Sequence, residues 1–373
     1  MARLDIALLH PRLDLYGGSQ KLVLQLAEGL SAHHQITVYT TRYSVEKWGA
    51  PEFSVIEVQP AARLLRMPLY PLAAKLLAAS MGDHDVYNLH GFPSHLASKH
   101  PSVWYCHEPP RELYDLSHEY AAQLPAPRPV SQAALWALRA YDRKKALQVD
   151  AIASNSAYTR RYIRLAYGIE APVVYPGVKL SSYKPRSPDA PVLLTVARLV
   201  KHKRVDLVVK AMKLIAKRIP DAKLIIVGEG PEKLRLLSLA RSLGVERRVE
   251  LLGEVGEGEL IDLYSQAYCL IYTPEREPFG LAVLEAMASS KPAIVSAEGG
   301  LLELVEDRVT GYLVPRSPRE IAEKAILLLK SRDRAEQMGR AALTKARRYS
   351  ISYTVESLSS LLERASSASS ASS

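Results

Sequence analysis

Val192-Leu193-Leu194-Thr195-Val196-Ala197-Arg198-Leu199-Val200-Lys201-His202-Lys203 is a short apolar run that ends in a cationic loop. The run 192–196 reads as a strand. Val205, Val208, Val209, Met212, Ile215 and Ile219 then recur at helical spacing and mark the buried face of a helix. The same unit repeats downstream, with strands at 222–227, 249–252, 268–272 and 292–295 and helices between them. Pro292 stands at the start of its run, where a missing amide is tolerated.

Toward the N-terminus the alternation returns. Runs 4–9, 35–40, 54–58, 86–89, 103–106, 151–154 and 172–175 read as strands, with a helix from 19 to about 30 after Gly17-Gly18. Strands alternating with helices predict an α/β chain built on parallel sheets. Pro176, Gly177, Pro185, Pro188 and Pro191 interrupt the pattern, as an interdomain linker does. The expected division is an N-terminal domain at 1–178, a linker at 179–191 and a C-terminal domain at 192–348. Helices are expected at 318–330, 332–347 and 352–365, the last packing back on the N-terminal domain. The Ser/Ala-rich 366–373 reads as a disordered tail. Two such domains make the cleft between them the default ligand site.

Composition narrows the function. The 373 residues carry 49 Lys+Arg against 39 Asp+Glu, a net charge of +10, which implies an anionic partner. Nucleic acid, anionic lipid and phosphorylated small molecules all qualify. Two cysteines, Cys106 and Cys269, exclude a disulfide framework and suit a reducing compartment. No apolar run approaches the ~20 residues that cross a bilayer, and the N-terminus has no signal-peptide pattern. A cytoplasmic chain is expected, with peripheral attachment to a membrane's inner face as an option.

The sharpest chemical pattern is Glu277-Pro-Phe-Gly-Leu-Ala-Val-Leu-Glu285. Pro278 disfavours helix at Glu277, so the helix is expected to start near Gly280. The free amides of Gly280 and Leu281, with the helix dipole, make an anion site suited to phosphate. Two carboxylates beside a phosphate need another task, and accepting hydrogen bonds from sugar or ribose hydroxyls is one. Arg198 and Lys203 follow a strand at the edge where open α/β sheets bind ligands; one can grip a phosphate bidentately and the other supplies a point charge. Gly228-Glu229-Gly230-Pro231 allows close backbone approach, and so does Gly17-Gly18-Ser19-Gln20 at a helix start. The latter is not a G-x-G-x-x-G fingerprint, which disfavours a nicotinamide enzyme.

This ordered set resembles the retaining glycosyltransferases of family 4 (glycosyl transferases group 1), over nearly the whole chain and most strongly over 192–345. Glu298-Gly299-Gly300 is a further anchor. The resemblance implies a GT-B fold, two Rossmann-like α/β/α domains facing each other across a deep cleft. It also implies a hexosyltransferase that uses a GDP- or UDP-linked sugar and needs neither a catalytic metal nor another cofactor. By resemblance, Arg198 and Lys203 hold the donor diphosphate, with Gly228, Glu229 and Gly230 beside them. Glu277 contacts the transferred sugar, helped by Phe279, Gly280 and Leu281, and Glu285 holds the ribose. Gly17 and Gly18 line the acceptor or phosphate loop. Tyr105-Cys106-His107-Glu108-Pro109-Pro110 matches a family strand whose histidine lies near the reacting sugar, so His107 joins Glu277, Arg198 and Lys203 as a catalytic candidate. That stretch also resembles mannosyltransferases, which favours GDP-mannose and a lipid-linked or glycan acceptor.

Alternatives remain open from sequence. Two carboxylates suit a retaining glycosidase, although the cations and free amides argue against it. A basic nucleic-acid-binding protein rests only on charge, without an RNA-recognition or helix-turn-helix signature. His90, His95 and His100 match no zinc spacing, and Asp83-His84-Asp85 reads as a solvated turn rather than a metal motif. Residues 63–79 are apolar with scattered cations, which suits either a membrane-surface helix or a core helix. Tyr114, His118, Tyr120 and Arg128 are candidates for an acceptor groove.

Overall fold

In a computed structural model, which describes residues 3–65, 69–121 and 127–370, the alternation resolves into two units. One runs to Tyr175 and takes in everything from Ile351 on; the other is Pro176–Ser350.

The first unit contains β1 (Asp5–Leu9), α1 (Gly18–Ser31), β2 (Gln35–Thr40), α2 (Val45–Trp48), β3 (Ser54–Glu57), α3 (Gln59–Ala62), α4 (Tyr70–Ser80), β4 (Val86–His90), β5 (Ser102–Cys106), α5 (Ser117–Ala121), α6 (Arg128–Ala146), β6 (Ala151–Ser154) and α7 (Ala157–Tyr167). The strands lie in the order β3-β2-β1-β4-β5-β6, every pair parallel. Helices cover both faces, so β4 and β5 are buried at every position.

The second unit contains β7 (Val192–Val196), α8 (Val205–Ala216), β8 (Lys223–Val227), α9 (Lys233–Ser242), β9 (Val249–Gly253), α10 (Glu257–Gln266), β10 (Cys269–Tyr272), α11 (Leu281–Ala288), β11 (Ala293–Ser296), α12 (Leu301–Leu304), β12 (Gly311–Val314), α13 (Pro318–Leu329) and α14 (Arg332–Ala346). Its order is β12-β11-β10-β7-β8-β9, again parallel throughout. Counted from its own first strand, each sheet reads 3-2-1-4-5-6. In that order the crossovers reverse direction between the first and fourth strands, and ligands bind outside the carboxyl ends there. The switch points are β1/β4 and β7/β10.

The last helix, α15 (Ile351–Ser370), belongs to the first unit. Leu358 and Leu362 are fully buried, Thr354 Oγ1 donates to the Tyr175 carbonyl at 2.9 Å, and His34 Nε2 meets Ser359 Oγ at 3.0 Å. Gly29 lets it approach α1: a Cβ there would lie 2.5 Å from Val355.

Four expectations need correction. Residues 172–175 are no strand; Val173 makes a single bridge to Ser154, because Pro172 has no amide to extend a ladder. β12 is a strand that the periodicity did not reveal. Residues 179–191 are docked on the second unit: Tyr183 is buried, Ser187 Oγ donates to Glu336 at 2.6 Å, and the Arg186 carbonyl accepts from Lys291 at 2.6 Å. Proline there prevents regular structure without preventing packing. α15 continues past 366 to Ser370, its Ser367 hydroxyl bonding back to the Glu363 carbonyl at 2.9 Å. Residues 371–373 lie outside the described residues.

Candidate functional site

The β7/β10 switch point gathers the C-terminal candidates. After β7 the chain makes a short 3-10 turn at Lys201–Lys203 and enters α8 through Arg204, a non-glycine residue with φ 51°. That conformation is held from the loop after β10. Glu275 amide donates to the His202 carbonyl at 2.8 Å, and Arg204 Nη1 meets Glu275 Oε1 at 2.6 Å. The two loops are thereby one structure, and Lys203 reaches across it. Its Nζ lies 2.7 Å from Glu277 Oε2 and 3.0 Å from the Tyr272 hydroxyl.

Burial alone would push the Glu277 carboxyl up, but the Lys203 charge and hydrogen bonds from Lys203 and Tyr272 outweigh it and hold it below the ordinary range. Burial likewise opposes the Lys203 ammonium, and Glu277 more than restores it, leaving Lys203 above its usual value. Glu277 is therefore a carboxylate that can only accept hydrogen bonds, not a proton-donating acid. Arg198 is exposed, and its side chain has no hydrogen-bond or ion-pair partner among the described residues. Tyr272, Glu275 and Arg204 were not visible as site residues in the sequence; Tyr272 closes β10, and its place at that strand end was the available signal.

Glycines hold these loops together rather than lying open. A Cβ on Gly228 would fall 2.0 Å from the Ala197 carbonyl oxygen, and one on Gly230 2.4 Å from that of Leu199. Both glycines therefore allow the close packing of their turn on the Arg198 loop. Glu229 is ion-paired with Lys233. A Cβ on Gly299 or Gly300 would fall 2.4 Å from the Glu277 carbonyl oxygen or 2.1 Å from that of Pro278. Gly300 amide donates to the Glu277 carbonyl at 2.8 Å, and Glu298 accepts from the Arg276 amide at 2.7 Å. Glu298-Gly299-Gly300 is thus the bracket of the Glu277 loop.

α11 begins at Leu281, with Gly280 at φ 103° as its cap. The amides of Gly280 and Leu281 have no partner among the described residues. Phe279 is 2% exposed and packs in the hydrophobic core of the second unit. Glu285 is buried inside α11, its two oxygens accepting from Tyr183 at 3.2 Å and Tyr264 at 2.9 Å.

The β1/β4 switch point of the first unit gathers three histidines: His10 after β1, His90 closing β4 and His107 after β5. His90 Nδ1 and His107 Nε2 are 3.4 Å apart. Burial drives His10 down to about 4 and, with the neighbouring His10, His107 down to about 3. All three are neutral at pH 7. Gly17 and Gly18 open α1, but the space a Gly17 Cβ would need is filled by Gln20 Oε1 at 2.4 Å, so Gly17 makes room for a side chain of its own helix.

Other candidates are committed elsewhere. Tyr114 donates to the buried Asp142 at 2.7 Å, which removes its hydroxyl from an acceptor groove. His118 and Arg128 are exposed, and the Tyr120 side chain lies outside the described residues. His95 pairs with Asp142 and His100 with Asp150, while His84 and Asp85 tie their loop to Asp5 on β1. Among the described residues no cluster of His, Cys, Asp or Glu could hold a metal ion. Within 63–79, α4 buries Ala73, Ala74 and Leu77, the core-helix arrangement; residues 66–68 lie outside the described residues. No helix among the described residues is long and apolar enough to cross a membrane.

Two family models match, Glycosyltransferase Family 4 over residues 16–182 and Glycosyl transferases group 1 over residues 181–345. An uncharacterized glycosyltransferase of Methanocaldococcus jannaschii is 38% identical over 135 residues, 36% of this chain and 34% of that one. A GDP-mannose-dependent alpha-(1-6)-phosphatidylinositol monomannoside mannosyltransferase of Mycolicibacterium smegmatis is 27% identical over 353 residues, 87% of this chain and 88% of that one. Three curated relatives, the M. jannaschii protein included, are matched over only 34%, 39% and 55% of their own length. In fold, sucrose-phosphate synthase of Thermosynechococcus elongatus superposes with a TM-score of 0.79 at 21% identity, covering 98% of this chain and 100% of that one.

Proposed function

We propose that this chain, which belongs to the family 4 (group 1) glycosyltransferases and has their GT-B fold, transfers a hexose from a nucleotide-diphosphate sugar to a hydroxyl acceptor with retention at the anomeric carbon. The observation that carries this reading is the β7/β10 switch point: an unpaired Arg198, an ionised Lys203–Glu277 pair and two unpartnered amides at the start of α11. Lys203 is already neutralised by Glu277. The net positive charge for a diphosphate therefore comes from Arg198 and the helix start, and a leaving diphosphate gains charge in that field. This supply of positive charge requires no catalytic metal. Glu277, an acceptor-only carboxylate, takes hydrogen bonds from sugar hydroxyls, and Lys203 fixes its orientation.

In this reading the leaving diphosphate helps to deprotonate the acceptor, and the chain supplies positioning and charge rather than a nucleophile. Glu285, locked by two tyrosines, is the ribose contact, and His107 is a contact of the reacting sugar. The donor is GDP-mannose in preference to a UDP-glucose type, and the acceptor a lipid-linked or other glycan. The M. smegmatis relative, named as a GDP-mannose-dependent phosphatidylinositol monomannoside mannosyltransferase, supports both choices. The test is calorimetric titration with a panel of nucleotide sugars, then transfer to lipid-linked acceptors with the anomeric configuration read by NMR. Binding of GDP-mannose and an α-linked product are expected; hydrolysis of aryl glycosides without any nucleotide would overturn the reading.

A further inference from the structure

At the β1/β4 switch point a chain of hydrogen bonds ends on His107. Asn88, fully buried on β4, donates from Nδ2 to the Val103 carbonyl oxygen on β5 at 3.1 Å. A carbonyl can only accept, so the amide nitrogen is fixed at that end and Oδ1 faces His90. His90 Nε2 lies 2.7 Å from Oδ1. An amide oxygen also only accepts, so Nε2 carries the proton. Burial and the two neighbouring histidines hold His90 well below its ordinary value, so the ring is neutral and its Nδ1 keeps a lone pair. His107 Nε2 is 3.4 Å from that lone pair and must supply the proton they share. The remaining nitrogen of His107, Nδ1, has no partner among the described residues and belongs to a half-buried ring.

His10 cannot take over either role. The Arg12 amide donates to its Nδ1 at 3.3 Å, so its proton is on Nε2, directed at Ser19 Oγ 3.4 Å away. Ser19 passes its own proton to Gln20 Oε1 at 2.9 Å. The one uncommitted lone pair of the three rings is His107 Nδ1.

We propose that Asn88 is a positioning residue: acting through His90, it fixes His107 as the Nε2–H tautomer and so presents the Nδ1 lone pair as the acceptor for a substrate hydroxyl. The substrate half of this statement rests on the reading of His107 given above; the tautomer half does not. A deleted acceptor at position 88 releases His90 to rotate its proton to Nδ1, and His107 then has no reason to keep its own on Nε2.

The experiment is two-bond 1H–15N correlation on the full chain labelled at histidine, which reads the protonated nitrogen of each ring. His90 and His107 are expected as Nε2–H in the native chain. In Asn88→Leu, His107 is expected as a mixture of tautomers, and kcat falls about tenfold or more with the donor KM unchanged. A native His107 protonated on Nδ1 overturns the proposal even if the variant does not fold. So does a folded Asn88→Leu in which His107 remains purely Nε2–H. If the tautomers read as expected while His107→Phe transfers sugar at the native rate, the substrate half is overturned and Asn88 is left as a structural clamp.

Discussion

Lys203 Nζ and Glu277 Oε2 are 2.7 Å apart, with the two side chains only 13% and 12% exposed. A pair this buried behaves asymmetrically. Removing one member strands the other charge, at about 3–5 kcal/mol, whereas replacing both with neutral groups of like shape is close to neutral. Lys203→Met and Glu277→Gln should each lower the melting temperature clearly, and Lys203→Met/Glu277→Gln should recover most of the loss. Turnover should behave differently. Each single variant loses at least about a hundredfold, as for a deleted oxyanion donor, and the double variant recovers none of it. Denaturant melts and steady-state kinetics on the same four proteins check both halves. Recovery of turnover with stability would make the pair structural alone.

Arg198 is the counter-case. It is exposed and unpaired, so nothing in the fold depends on it. Arg198→Ala should leave stability within about 0.5 kcal/mol and still cut turnover about a hundredfold. Arg198→Lys should restore part of the activity, since the charge returns without the bidentate fork. Thermal melts and kcat/KM measure this, and native turnover in Arg198→Ala would remove the residue from the diphosphate site.

The pair also sets a pH window. Glu277 is lowered from an ordinary 4.5, so its stabilisation is complete above that value and is lost only as pH falls through the lower folded value. Lys203 is raised from 10.5, so its share is complete below that value and is lost as pH rises through the higher folded one. Relative to the double variant, the stability of the native chain should therefore be constant from about pH 5 to about pH 10 and fall only outside those limits. Melting curves across pH test it, and a slope near neutrality would contradict the ionised pair.

Much of this site is legible in the amino-acid sequence, and the reason is local. The strand-to-loop passages at Val196–Arg198 and Tyr272–Glu277 are written in adjacent residues: an apolar run gives way to charge, with Pro274 between them in the second. What stays hidden depends on partners distant in sequence. Nothing local distinguishes Glu277 free in a loop from Glu277 clamped by Lys203, or a glycine that greets a ligand from Gly228, which greets the Ala197 backbone. Phe279 looks like part of a binding motif because it lies inside one, yet the turn at Gly280 directs it into the core. The histidines show the same limit, since His10, His90 and His107 are joined by strand order and not by spacing. The docking of 179–191 on the second unit, by way of Tyr183, Arg186 and Ser187, is invisible for the same reason.

Gly300 provides the strictest test that the glycine bracket, and not the carboxylate alone, makes the site. Its φ is not in the left-handed region, so alanine meets no backbone strain there, only the Pro278 carbonyl oxygen 2.1 Å from the new Cβ. That oxygen belongs to backbone and cannot swing aside, so the 277–279 segment must move as a unit. Overpacking of this kind costs about 1–3 kcal/mol, which a folded chain survives. The movement carries the Glu277 carboxylate away from Lys203 and shifts the amides at the start of α11. A displacement of about 1 Å at a positioned group costs on the order of a hundredfold in rate. Gly300→Ala should thus remain folded, with a modestly lower melting temperature, and lose turnover to nearly the extent of Glu277→Gln. It should also lose the flat pH window, because the carboxylate returns toward its ordinary value once the ammonium is out of reach. Native kinetics in a folded Gly300→Ala would show that the Glu277 loop keeps its geometry without the bracket.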